Sequence, residues 1–361
     1  MRAPRTLRDD GGALRQTYFE KISIHEDYDI ESLTFCEGMA RRKRGTMKKT
    51  AFLFPGQGSQ RVGMGRDLME TFPAFRQTME EADATLDFSV QKLCLEGPEE
   101  QLNQTQFTQP CLLAVSTGIC RILEQEGVRP DAVAGLSLGE YTALVAAGVL
   151  DFPRAVALVR RRGQWMEEAV PGGRGSMAAV LGAQRETVIR ICRDVTADST
   201  APDVVEPANF NCPGQIVISG ERSLVEIAGD KLKEAGAKKI IPLVVSGPFH
   251  SSMLRTAGEK LEEEFKSVCW RAPAMDYYTN VTGCKVEDEK AIPGLLVRQV
   301  QSSVYWEDTI RHMLEDGVEE FVEVGPGKTL TGFIRKIDRG LRVWNIEDTA
   351  TLRQYLEQRQ A

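Results

Sequence analysis

The stretch AVAGLSLGEYTAL, residues 132–144, sets a serine between two glycines at G-x-S-x-G spacing, where an apolar run gives way to a helical pattern. A strand that turns abruptly into a helix strains and exposes the residue at the turn, so a reactive side chain there meets its substrate directly. The backbones on either side approach closely and require small residues, a need that Gly135 and Gly139 meet. The competing reading is an ordinary glycine turn in which Ser137 caps the helix, since 32 glycines in 361 residues make the spacing possible by chance. The apolar strand before the serine and the helix after it favour the nucleophile elbow.

Around this point, strand-like and helical runs alternate from Lys48 onward. TAFLFPG, DAVAGLS, VEEFVEVGPG and LRVWNIED read as strands, and TQPCLLAVSTGICRILEQEG and GEYTALVAAG as helices. That alternation predicts an α/β fold, a hydrolase-like large subdomain whose mainly parallel sheet carries helices on both faces. Between about 174 and 245 the order becomes β-α-β-β-α-β, which predicts an inserted ferredoxin-like small subdomain with a ligand cleft beside it. The expected organisation is therefore 47–172 plus 246–361 for the large subdomain and 173–245 for the small one. Residues 1–46 are charged, have few periodic apolar positions and end in a basic run. They read as an N-terminal appendage, disordered or not native, with translation expected to begin at Met47.

Composition narrows the function. No apolar run approaches the roughly 18 residues of a membrane span, and the N-terminus lacks a secretory apolar core, so a cytoplasmic protein with no membrane partner is expected. Eight cysteines without a C-x-x-C pair argue against a zinc site or a redox dithiol. A net charge of -7 gives no global reason to bind nucleic acid.

A neutral serine needs a base, and the sequence has three histidines. His25 falls in the appendage. His312, in EDTIRHMLEDG, sits on the flank of a helical pattern whose apolar positions are Ile310, Met313 and Leu314. His250, in VVSGPFHSSML, follows a strand and a Gly-Pro turn, so elimination selects it over the bland reading of a satisfied, half-buried imidazole. No carboxylate between Ser137 and His250 stands in a recognisable loop. A backbone carbonyl can instead fix the histidine tautomer, adding less basicity than a carboxylate would, which suits an acyl-serine that must wait for a second acceptor.

The backbone N–H of Leu138, opening the helix, is placed to hold the oxyanion formed when Ser137 attacks a carbonyl. FPGQGSQ (54–60) fails as a phosphate cradle: no Gly-Lys-Ser/Thr follows, and Arg61 occupies the position that would complete G-x-G-x-x-G. Gln57 is read instead as a second amide donor to the oxyanion. In DFPRAVALVRRRGQWMEEAV, helical spacing puts Ala155, Val159, Arg162, Met166 and Ala169 on one stripe, while Arg160 and Arg161 rotate away from it. An inward guanidinium calls for an anion, and a substrate with a free carboxylate beside its reactive acyl group fits.

FPGQGSQ, TQP, GLSLGEYTALVAAG, RRRG, NFNCPGQIVISG, GPFHSSML, VRQ and EVGPGKTL, in that order over about residues 49–345, closely resemble malonyl-CoA:acyl carrier protein transacylases and the acyltransferase domains of polyketide synthases. The resemblance implies that Ser137 is acylated, that His250 is its general base, and that Gln57 and Leu138 form the oxyanion hole. It implies Arg162 as the malonyl-carboxylate ligand and the carbonyl of Gln299 as the histidine's orienter. It further implies malonyl selectivity from the bulk of Phe249, and ping-pong transfer from malonyl-CoA to the phosphopantetheine thiol of holo acyl carrier protein in fatty acid synthesis, with neither metal nor other cofactor. Lys231, Lys233, Lys238, Lys239, Lys328, Arg335 and Lys336 are candidates for a carrier-binding basic patch, against solvated surface charges. The alternatives are a discrete trans-acting acyltransferase of a polyketide synthase, a serine esterase and a carrier-binding module with a dead site.

Overall fold

The computed structural model describes residues 48–170, 172–199 and 202–360. The expected appendage 1–46, the expected start at Met47 and His25 lie outside the described residues. The strands are β1 (Lys49–Phe54), β2 (Ala132–Gly135), β3 (Gly175–Leu181), β4 (Val205–Cys212), β5 (Gln215–Glu221), β6 (Lys239–Pro242), β7 (Asp276–Tyr277), β8 (Val318–Val324) and β9 (Arg342–Ile346). The helices that position the site are α1 (Thr105–Gln125), α2 (Leu138–Ala146), α3 (Phe152–Ala169), α4 (Arg185–Asp198), α5 (Arg222–Glu234), α6 (Ile292–Gln301) and α7 (Trp306–Glu315).

Strands β7-β2-β1-β8-β9 form one sheet in that order, and every pairing in it is parallel. Successive residues of a strand face opposite sides, and here both sides are apolar. Phe52, Phe54, Val133 and Val322 enter one core, while Ala51, Leu53, Ala132, Ala134 and Phe321 enter the other. Each buried Phe or Leu contributes about 1.5–3 kcal/mol, so continuous apolar runs such as AFLF fold into an interior strand. The register pairs Phe54 with Gly135 at the carboxyl ends of β1 and β2. The loop carrying Gln57 and the turn carrying Ser137 thus leave neighbouring strands at the same edge, where ligands of parallel sheets bind.

The second sheet runs β4-β5-β3-β6 and is antiparallel throughout. The chain order β3-α4-β4-β5-α5-β6 is the expected β-α-β-β-α-β unit. Ala178, Val180, Ile216 and Ile218 on one face pack with Val188, Ile191 and Val195 of α4 and Leu224, Ala228 and Leu232 of α5. Met177, Ala179 and Val217 on the other face join the core of the parallel sheet. KKIIPLVVSG reads as one strand, yet β6 ends at Pro242; one further bond, from the Leu243 N–H to the Met177 carbonyl at 2.9 Å, follows before the chain departs toward His250. No described helix is long and apolar enough to cross a membrane.

Candidate active site

The turn between β2 and α2 is forced by its glycines. A Cβ on Gly135 would lie 1.9 Å from the carbonyl carbon of Gly139, and one on Gly139 would lie 2.1 Å from the carbonyl oxygen of Phe54. Between them Ser137 adopts φ 55° and ψ -105°, and its side chain makes no capping bond to α2. The helix-cap reading therefore fails. Ser137 and His250 (φ 59°) are the only non-glycine residues at positive φ among the described residues. Backbone strain of this kind persists only where surrounding contacts hold it in place. For Ser137 the hold comes from Asn280, whose Oδ1 accepts from the Ser137 N–H (2.6 Å) and whose Nδ2 donates to the Gly135 carbonyl (2.7 Å).

His250 Nε2 lies 2.7 Å from Ser137 Oγ, and His250 Nδ1 lies 2.8 Å from the carbonyl oxygen of Gln299 in α6. A carbonyl can only accept, so Nδ1 carries the proton and the lone pair of Nε2 faces the serine. Burial, reinforced by the nearby charge of Arg162, lowers the imidazole pKa from 6.5 to about 4. The ring is therefore neutral at neutral pH and free to take a proton.

Arg162 is 1% exposed. Its Nη2 lies 3.3 Å from Ser137 Oγ and donates to Gln299 Oε1 at 2.9 Å, while Nη1 donates to Gln109 Oε1 at 2.8 Å. Helix α3 reaches this depth because Gly163 lets it close on α1: a Cβ there would stand 2.5 Å from Gln106 Cα. Burial lowers the Arg162 pKa, though a guanidinium of this intrinsic basicity stays charged. Arg161, one position earlier, is exposed and pairs with Glu264.

Leu138 is the first residue of α2, so its N–H has no carbonyl within its own helix. The Gln57 loop abuts the elbow: a Cβ on Gly56 would lie 2.5 Å from the Leu136 carbonyl oxygen. The Gln57 side chain donates to Thr105 Oγ1 (3.1 Å), which lies 2.7 Å from Ser246 Oγ. Phe249 is buried beside His250. The structure brings Ser137, Leu138, Arg162, Phe249, His250 and Gln299 together, with the Gln57 loop alongside. His312 stands apart, its Nδ1 2.9 Å from the Gly283 carbonyl. Of the candidate basic residues, Lys231 pairs with Asp198, Lys233 with Asp230 and Lys328 with Glu347 at the surface.

Sequence reasoning assigned no role to Gln109, Glu140 or Asn280. The first two carry a detectable signal, being polar residues inside apolar helical patterns, in TQP and GLSLGEY. Asn280 sits in YTNVTG, which signals no more than a turn.

A hydroxyl bonded to a neutral imidazole, at the carboxyl edge of a parallel sheet and next to a buried guanidinium, belongs to the serine-dependent acyl-transfer class of sites. Residues 51–355 match the acyl transferase domain, and the chain belongs to that family. It is 44% identical over 306 residues to the malonyl CoA-acyl carrier protein transacylase of Bacillus subtilis strain 168, covering 85% of this chain and 96% of that protein. It is also similar to MCAT from Streptococcus pneumoniae, with 45% identity, TM-score 0.82 and coverage of 86% of this chain and 100% of the other. A malonyl-transacylase in complex with its type II PKS holo acyl-carrier protein gives 42% identity, TM-score 0.83 and coverage of 86% and 99%.

Proposed function

We infer that this chain transfers a malonyl group from malonyl-CoA to the phosphopantetheine thiol of acyl carrier protein, supplying fatty acid synthesis. The observation that carries the reading is the convergence on Ser137 Oγ of His250 Nε2 at 2.7 Å and Arg162 Nη2 at 3.3 Å. In the proposed sequence His250 Nε2 takes the hydroxyl proton as Oγ attacks the thioester carbonyl. The N–H groups of Leu138 and Gln57 hold the oxyanion. When the C–S bond breaks, the proton passes to the departing CoA thiol, leaving malonyl-Ser137. The carrier thiol then gives its proton to His250, its sulfur attacks the ester carbonyl, and the C–O bond breaks to return Ser137 with its proton. No electron changes hands and every proton moves through His250, so the chemistry calls for neither metal nor redox cofactor.

In this reading the Arg162 fork grips the malonyl carboxylate through parallel charged hydrogen bonds, and the Phe249 ring leaves little room for an α-methyl branch. A neutral carbonyl behind His250 adds less basicity than a carboxylate would, which favours a thiol acceptor over water. The proposed location is the cytoplasm, with its soluble carrier. A second reading, loading a polyketide carrier, draws on the relative solved with a type II PKS carrier, and parallel assays with both carriers separate the two.

The test is incubation with malonyl-CoA alone, then with holo acyl carrier protein, following the mass of the Ser137 peptide. The expected result is a stable malonyl-serine that the carrier discharges; rapid loss to water in the absence of carrier points to an esterase instead. Arg162→Ala is expected to lower kcat/KM for malonyl-CoA by about 100-fold, and that for acetyl-CoA only a few-fold. Equal losses on the two donors mean that the arginine is structural.

A further inference from the structure

Arg162 carries a buried charge, yet no carboxylate among the described residues lies within ion-pairing distance; beside it stands the Tyr141 ring, its centroid 5.3 Å from the guanidinium carbon. A carboxylate in direct contact would fill the guanidinium fork and compete with an incoming acid. The fully buried Glu140 stands one amide away instead. Its Oε2 accepts from Gln299 Nε2 at 2.8 Å and from the Asn280 N–H at 3.2 Å, and its Oε1 accepts from the Tyr277 hydroxyl. The Gln299 amide cannot be turned around, because Nε2 also donates to the Ser137 carbonyl (2.8 Å) while Oε1 accepts from Arg162 (2.9 Å). Fixing this amide sets where Nη2 of Arg162 points.

We propose that Glu140 is a positioning residue for donor selection: by anchoring the Gln299 side chain it holds the Arg162 guanidinium against the Ser137 oxygen, where the carboxylate of an acidic acyl group meets it. The inference rests on the proposed role of Arg162. It separates Glu140 from the acylation chemistry itself, which a donor without a carboxylate still undergoes.

The readout is the ratio of kcat/KM for malonyl-CoA to that for acetyl-CoA, with the acetyl rate reporting an intact Ser137–His250 pair in each variant. Glu140→Ala is expected to lower the ratio by about 10-fold or more, mainly through a raised malonyl-CoA KM, as befits a lost hydrogen bond to a charged group. Glu140→Gln keeps an oxygen facing Gln299 and Asn280 and can donate to Tyr277, so it is expected to hold the ratio within about 3-fold of the parent. Tyr277→Phe removes the hydroxyl that donates to Glu140 Oε1 while leaving Ser137, His250 and Gln299 unaltered, and it decides the matter if Glu140→Ala does not fold; it should lower the ratio by about 3-fold or more. Equal losses on both donors in Glu140→Ala, or an unchanged ratio in Tyr277→Phe where that variant decides, or a Glu140→Gln ratio as low as that of Glu140→Ala, overturn the proposal. If Arg162→Ala itself fails to separate the donors, the reading of Arg162 falls; if it separates them and the Glu140 series does not, only this inference falls.

Discussion

At the scale of single residues, the elbow is legible in sequence because its steric demands are local. Gly135 and Gly139 are needed within a few residues of the serine they flank, and the two clashes their Cβ atoms would make are with nearby backbone. The histidine required a global argument, elimination among three, and its orienter was reached only through the family resemblance, since a backbone carbonyl leaves no residue-type signature. The consequence of that burial is a pH dependence. With its pKa lowered from 6.5 to about 4 by burial and then by the charge of Arg162, His250 stays neutral well below the usual histidine range. The acid limb of kcat/KM with acetyl-CoA, which has no titrating carboxylate, is expected near pH 4, and Arg162→Ala should move it upward. The unfolded chain takes up this proton first, so the stability contributed by the neutral buried ring is complete above about pH 6.5 and is lost as pH falls toward 4. Thermal melts across that window check the second point, and an acid limb near 6.5 in the parent would contradict the first.

At the scale of elements, helical arithmetic alone points Arg162 inward and Arg161 outward, because 100° per residue fixes which of three consecutive arginines shares a stripe with Val159 and Met166. The depth of α3 was not legible in the same way, since it depends on which helix lies opposite. Gly163 reads in sequence as the end of RRRG, whereas in space it is the contact at which α3 meets α1 backbone to backbone, bringing Arg162 within reach of Gln109. Gly163→Ala therefore forces the helices apart, since the Cβ would meet Gln106 Cα and not the end of a flexible side chain. The expected cost is about 1–3 kcal/mol in denaturant unfolding, the usual range for overpacking. A larger fall in kcat/KM for malonyl-CoA than for acetyl-CoA should accompany it, because the displaced group is the guanidinium. An unchanged midpoint would show that α1 yields at no cost.

At the scale of the whole molecule, the chain order β-α-β-β-α-β announces the antiparallel sheet but does not say how it meets the parallel one. The join is made by backbone: the Phe210 N–H donates to the Val304 carbonyl at 2.9 Å, and the Val304 N–H donates to the Ala208 carbonyl at 2.8 Å. Beside it, Arg185 at the start of α4 donates to both carboxylate oxygens of Asp308 in α7 and lies over the Phe210 ring, 4.1 Å from its centroid. The neighbouring Tyr305 N–H donates to the Asn280 carbonyl, and Asn280 holds the strained Ser137. The seam between the sheets is thus continuous with the support of the elbow, and it joins segments far apart in the chain: the Ser303 hydroxyl, for example, donates to the Pro207 carbonyl. Arg185→Ala should consequently act on the serine and not on the guanidinium. Because the ion pair is partly exposed, at 31% and 15%, the expected stability loss is only about 1 kcal/mol. Rates with malonyl-CoA and acetyl-CoA should fall by the same factor, in contrast to the selective loss expected for Arg162→Ala. Differential scanning calorimetry with paired kinetics on the two donors measures both effects, and a lower Tm with both rates intact would show that the seam holds the sheets together without supporting the site.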